Sequence, residues 1–247
     1  MATAWFRFHG ELHAFLPRAH RGESFSHACA RAATLKNAVE ALGVPHTEAA
    51  RLLVNGMPAT LDRIVREGDE VEVFPWSETG AAQPDIERRF VADAHMGGLA
   101  RFLRMLGFDT IHENALPDAE IRRLAWEERR IVLTRDRELL KCREIHFGCY
   151  VHERKPEAQL REVAARFDLA ASARPFTLCL RCNLPLEPAG DAQVRAYALP
   201  AVVERYRVFL RCSGCARVFW EGTHFARMRA VLLDKVGLPA ASQQKQI

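Results

Sequence analysis

Two cysteine pairs of the form C-x-x-C, Cys179/Cys182 and Cys212/Cys215, lie 29 residues apart in the last third of this 247-residue chain. No other feature constrains the fold as strongly. If the four thiolates share one ion, the two pairs must meet, and the segment between them must leave and return. Each pair then forms a knuckle, and four thiolates close a tetrahedral Zn²⁺ site with no position left for water. Such a zinc is structural, and it compensates for a ribbon too small to fold on its own core. The alternative is redox-active pairs or unpaired buried thiols. The chain has seven cysteines. It opens with "MATAWFRFHGELHAF", where His9, Glu11 and His13 interrupt any leader-like apolar run, so no export signal is expected. Outside an oxidising compartment the spacing reads as metal binding rather than as disulfides. Cys29, Cys142 and Cys149 stand alone and read as small buried hydrophobes.

Charge is unevenly spread. Residues 1–80 carry 8 basic and 10 acidic side chains, residues 81–172 carry 16 of each, and residues 173–247 carry 11 basic and 5 acidic. A basic C-terminal third fits either a polyanionic partner or a solvated basic face. No apolar run approaches the ~18 residues of a membrane span, so a cytoplasmic protein without membrane contact is expected. Arg205, Arg207, Arg211 and Arg217 alternate with Tyr206, Phe209, Phe219 and Trp220, a pattern suited to gripping a single nucleic-acid strand. His224 with Trp220 could stack on such a strand or fill a packed corner.

Three segments follow along the chain. In residues 1–78, "AWFRFHG" and "SFSHACA" read as strands. Thr34 can cap a helix with Leu35, Ala38, Val39 and Leu42 on one face, ended by Gly43. "RLLVNGMPA" is a strand with an Asn55-Gly56 turn, and Gly68-Asp69 turns into the alternating strand "EVEVF". Residues 77–85, "SETGAAQPD", read as a linker, so residues 1–78 are expected to fold alone. In residues 86–172, "RRFVAD", "GFDTIH", "RIVLTRD" and "FGCYVH" read as strands alternating with amphipathic helices, which implies a mostly parallel sheet covered on both faces. Residues 173–225 hold the cysteine pairs, with "RYRVFLRC" and "RVFWEG" as strands of a small ribbon.

Two apolar strands of the middle segment end in aspartate, Asp93 and Asp136. In open parallel sheets, functional groups collect beyond the carboxyl ends of the strands. Neighbouring strands would bring both carboxylates to one edge, and Asp118, opening the intervening helix, can point there too. Clustered carboxylates repel unless a cation sits among them, and hard oxygen ligands suit Mg²⁺ or Mn²⁺. Each aspartate could instead cap the helix that follows it. Arg101 and Arg104, three apart on one helix, could bind phosphate beside such a site or form a solvated face. Arg135 could contact phosphate or neutralise Asp136.

The stretches "FVADAHMGGLARFLRMLGFDT", "DAEIRRLAWEERRIVLTRDREL" and "FWEGTHFARM", with the paired C-x-x-C, resemble the PIN-like ribonuclease domain family named after the C-terminal region of the Mut-seven exonuclease. "VNGMPA…REGDEVEVFP" resembles the ubiquitin-like β-grasp, in its sulfur-carrier branch. The chain offers no free Gly-Gly tail after that segment, since Gly97-Gly98 lies inside the next one. Carrier chemistry is therefore not expected, and a binding or positioning role remains. The resemblance implies an α/β PIN-like domain, a β-grasp before it and a zinc ribbon after it. It implies a metal-dependent ribonuclease, with Asp93, Asp136 and Asp118 holding Mg²⁺ or Mn²⁺, zinc on Cys179, Cys182, Cys212 and Cys215, RNA as partner, and a protein docked on the ubiquitin-like part. After the last strand of the middle segment only Glu153 is present, where many PIN nucleases have a fourth acid. That departure keeps a second reading open, a non-catalytic RNA-binding or adaptor protein.

Overall fold

A computed structural model describes residues 1–79 and 86–237. Most of the expected linker, residues 80–85, and the C-terminal tail from 238 lie outside the described residues. In chain order the elements begin with β1 (Ala2–Phe8), β2 (Phe25–Cys29), α1 (Leu35–Ala41), β3 (Arg51–Val54), β4 (Met57–Ala59), β5 (Glu70–Phe74) and α2 (Trp76–Thr79). There follow β6 (Phe90–Ala92), α3 (Gly97–Met105), β7 (Thr110–Ile111), α4 (Asp118–Glu127), β8 (Ile131–Thr134), α5 (Arg137–Leu140), β9 (Gly148–Tyr150), α6 (Pro156–Phe167) and α7 (Leu169–Ser172). The chain continues with β10 (Leu186–Pro188), α8 (Asp191–Tyr197), α9 (Pro200–Arg205), β11 (Leu210–Cys212), β12 (Val218–Phe219) and α10 (Thr223–Val236). No helix among the described residues is long and apolar enough to cross a membrane.

Two compact units interleave along the chain, one of residues 1–87 and 116–150, the other of residues 88–115 and 151–247. The first contains a five-stranded sheet in the order β2-β1-β5-β3-β4, with β1 and β5 parallel and the other pairs antiparallel. Its alternating strands turn Phe6, Phe8, Val71 and Val73 inward, against Leu35, Ala38 and Val39 of α1. Each of the phenylalanine, valine and leucine side chains, fully buried, contributes about 1.5–3 kcal/mol. Thr34 starts α1 as expected: its Oγ1 accepts from the Asn37 amide, and Asn37 Oδ1 accepts from the Thr34 amide. The β3–β4 hairpin turns on Asn55 (φ 51°) and Gly56 (φ 74°), the left-handed pair that a two-residue hairpin requires. The same unit holds α4, with Ile121, Leu124 and Ala125 inward, and the parallel pair β8–β9.

The second unit holds the parallel pair β6–β7, with Phe90, Val91 and Ala92 wholly buried. Phe90 meets Phe108 and Phe167 edge-on. Helices α3 and α10 pack on α6. At Gly98 a Cβ would lie 2.5 Å from Pro156 Cγ, so the Gly97-Gly98 pair is a close-packing device at the head of α3. A three-stranded antiparallel sheet, β10-β11-β12, completes the unit. Here the sequence expectation needs correction. "RYRVFLRC" is a strand only over Leu210–Cys212, because Pro200 opens α9 and that helix runs to Arg205. Helices α8 and α9 fill the segment between the cysteine pairs, and α10 continues past the expected end of the ribbon.

Candidate functional site

The cysteine pairs converge. Their four Sγ atoms all lie within 4.8 Å of one another, and this is the one group of three or more potential metal ligands so gathered among the described residues. Both pairs make the same turn. The Asn183 amide donates to the Cys179 carbonyl and the Ala216 amide to the Cys212 carbonyl, each at 2.9 Å. Asn183 (φ 61°) and Ala216 (φ 57°) take the left-handed conformation that lets the chain leave each knuckle. The Cys179 and Cys215 sulfurs are 3.8 Å apart, which matches the ~3.8 Å edge of a tetrahedron with ~2.3 Å Zn–S bonds. Crowded thiols resist ionising together. Burial, followed by the other thiols, pushes Cys182 up to about 12, whereas the Arg217 amide first of all holds Cys215 at about 7. A dication relieves that conflict, so the four cysteines could hold a zinc ion.

The first knuckle is keyed to α3 and β7. Arg104 is 7% exposed; its Nη1 donates to the Leu180 and Arg181 carbonyls at 3.1 Å, and its Nε to the Thr110 carbonyl at 2.9 Å. Burial lowers its pKa, opposed by the charges of Cys179, Asp109 and Cys182. A buried guanidinium there would offset the negative charge of the cysteines if they ionise to hold a cation. The expectation that Arg104 binds phosphate does not fit these contacts, because its donors are directed to carbonyls inside the fold. Arg101, on the same helix, is exposed and available to a phosphate. Asn183 adds a second key: its Oδ1 accepts from the Thr110 amide at 3.0 Å, and its Nδ2 donates to Asp109.

Asp93 follows β6 directly. It caps the 3-10 turn Ala94–Met96 by accepting from the Ala94 amide. The turn is held from the other side by His112, whose Nε2 lies 3.1 Å from the Ala94 carbonyl. Asp93 is half-buried. Asp136 stands two residues past β8 and caps α5, accepting from the Glu138 and Leu139 amides at 2.8 and 3.3 Å. Both bonds fall on Oδ1, and Asp136 is exposed. Its own amide donates to Thr134 Oγ1 at 2.9 Å, which shapes the Thr-Arg-Asp corner around the half-buried Arg135. Asp118 is not a cap: Pro117 occupies that position, and Asp118 is the exposed first residue of α4. Glu153 is exposed too, and its amide is held by Glu162, which also accepts from the His152 amide.

Residues 88–232 match the family model described as the Mut7-C RNAse domain. The chain belongs to the Mut7-C RNAse domain family. Residues 1–80 match the Mut7-C ubiquitin model, so the N-terminal sheet is the ubiquitin-like domain that accompanies this family. Comparison with curated proteins and with solved structures returned no match. Within the Mut7-C match lie all four cysteines, the three aspartates, and the contacts of Arg104 and Asn183 with the first knuckle. The sequence patterns that located the cysteines and aspartates carried no hint of these last contacts. Asn183 had one faint signal, its place directly after a C-x-x-C pair.

Proposed function

We propose that this Mut7-C protein is a metal-dependent ribonuclease. The observation that carries the reading is the repetition of one device: each of two buried strands in the RNAse match, β6 and β8, delivers an aspartate at its carboxyl end. On this reading Asp93 and Asp136 are metal ligands, with Asp118 at the head of α4 as a third. Three carboxylates form a hard-oxygen set that suits Mg²⁺ or Mn²⁺. Capping does not compete with that role at Asp136, since both capping bonds use Oδ1 and a cation can use Oδ2. When bound, the ion supplies polarisation of the phosphodiester and activation of water.

The chain's own residues do the rest. The caps fix the aspartates in place, so little ordering is left to complete on binding. Exposed Arg101 and half-buried Arg135 hold phosphate oxygens. A zinc ion on Cys179, Cys182, Cys212 and Cys215 holds the ribbon, whose aromatic and basic side chains grip the strand. Arg205 lies over Tyr206 at 5.6 Å, and Phe209 and Trp220 have ring centroids 6.2 Å apart. RNA is the substrate and the cytoplasm the setting. The second reading, an RNA-binding adaptor without chemistry, draws support from the capping bonds of Asp93 and Asp136, which give each a structural reason to be present. Cleavage of single-stranded RNA in Mn²⁺, abolished by EDTA and restored by added Mn²⁺, is the expected result. Binding of RNA without cleavage in Mn²⁺ or Mg²⁺ would favour the adaptor.

A further inference from the structure

Two turns of the ubiquitin-like segment are bonded to the part of the RNAse match in its own compact unit. The 3-10 turn Gly10–Phe15 ends with the carbonyls of Ala14 and Phe15. The Arg137 guanidinium donates to both, Nη2 to Ala14 at 3.2 Å and Nη1 to Phe15 at 3.3 Å. It also stands over two rings, Phe15 at 5.0 Å and Tyr150 at 5.8 Å. A second anchor lies in the turn His46–Glu48, where three successive polar residues are buried. Glu48 Oε1 accepts from the Tyr150 amide at 2.8 Å, and His46 Nε2 bonds the Ile145 carbonyl at 2.9 Å. Gly148 admits the turn: a Cβ there would lie 3.3 Å from Thr47 Cγ2 and 2.6 Å from Leu140 Cδ2. Buried polar groups cost stability unless bonded, so a tether carrying an independent module has no use for this arrangement.

Arg137 is the residue next to Asp136 and the first of α5, the helix that Asp136 caps. We propose that Arg137 is a positioning residue, anchored by the ubiquitin-like segment, that holds Asp136 in place for the RNAse site. The role of that segment is then internal to catalysis. This inference rests on the nuclease reading for its functional half only. Its structural half concerns the Asp136 cap, which can be observed without any activity.

The test uses the full chain with Arg137→Ala and Arg137→Lys. Lysine keeps the charge but lacks the planar fork whose two nitrogens reach separate carbonyls, so it separates anchoring from simple electrostatics. Two readouts are taken, RNA cleavage in Mn²⁺ and hydrogen exchange of the Glu138 and Leu139 amides that Asp136 caps. The anchor predicts that Arg137→Ala stays folded, with kcat lowered at least tenfold and KM for RNA within twofold. The two amides should exchange at least tenfold faster, and Arg137→Lys should recover only part of each effect. If Arg137→Ala fails to fold, Arg137→Lys decides alone: intermediate values support the anchor and wild-type values overturn it. Wild-type exchange at both amides in a folded Arg137→Ala protein overturns it, as does unchanged kcat in a protein that cleaves. If the wild type cuts no RNA, the nuclease reading fails, and the exchange of the two amides still decides whether the anchor holds.

Discussion

The thiol centre and the acidic strand ends are built on opposite principles. At the thiol centre each ligand pair is made by a local turn, repeated at Cys179–Asn183 and Cys212–Ala216 with the same 2.9 Å closing bond. The ligands are drawn together, and their crowding is what a cation would relieve. At the strand ends, Asp93 and Asp136 each serve the backbone beside them, and their arrangement depends on how strands are ordered, which no local turn dictates. A closed cluster of soft ligands has one chemical use, whereas a carboxylate at a strand end has two, cap and ligand. The same contrast runs through the arginines. Arg104 is committed to the knuckle, and Arg101 three residues earlier is open to solvent.

The comparison breaks first at the cysteines. Cys179→Ser or Cys212→Ser should lose about one Zn²⁺ per chain by elemental analysis, and β10–β12 should lose order, since structural zinc contributes ~10 kcal/mol or more to folding. Wild-type protein purified without any bound metal would remove the zinc reading. Arg104→Ala comes next. It leaves the buried Thr110 carbonyl and the part-buried Leu180 and Arg181 carbonyls short of their charged donor and should cost about 2–4 kcal/mol in denaturant unfolding, while Arg104→Lys recovers part. Because Arg104 serves the knuckle, its loss should also speed zinc release to a chelator. Unchanged stability and chelation would return Arg104 to the exposed group. The smallest effect is expected at Arg101: replacement by Ala should leave folding within about 0.5 kcal/mol and raise KM for RNA severalfold, read from cleavage rates against RNA concentration.

Much of the first unit was legible because its signals are local. Thr34 marks the start of α1, Asn55-Gly56 marks the hairpin, and alternation marks β1 and β5. The cysteine knuckles were legible for the same reason. The burial of Arg104 was not, since its spacing from Arg101 suggests a shared polar face and its partners Leu180 and Arg181 lie 76 and 77 residues away. Helices α8 and α9 were hidden by a run of valines and aromatics that also suits strands; only Pro200 marked a helix start. The links from Arg137, His46 and Glu48 were invisible for the reason that hid Arg104. Each joins residues about a hundred positions apart, and no period in the sequence encodes such a pairing.

The claim at the centre of this account is that Asp93 is a ligand as well as a cap. Asp93→Asn separates the two, because asparagine caps about as well as aspartate but brings no charge to a cation. Cleavage of single-stranded RNA in Mn²⁺, measured beside the Mn²⁺-induced shift in melting temperature, reads both properties in one protein. The account predicts that Asp93→Asn keeps its fold, loses cleavage, and loses most of the Mn²⁺ shift seen in the wild type. A variant that cuts RNA at the wild-type rate and melts with the wild-type response to Mn²⁺ would contradict it, and would leave Asp93 as a cap alone.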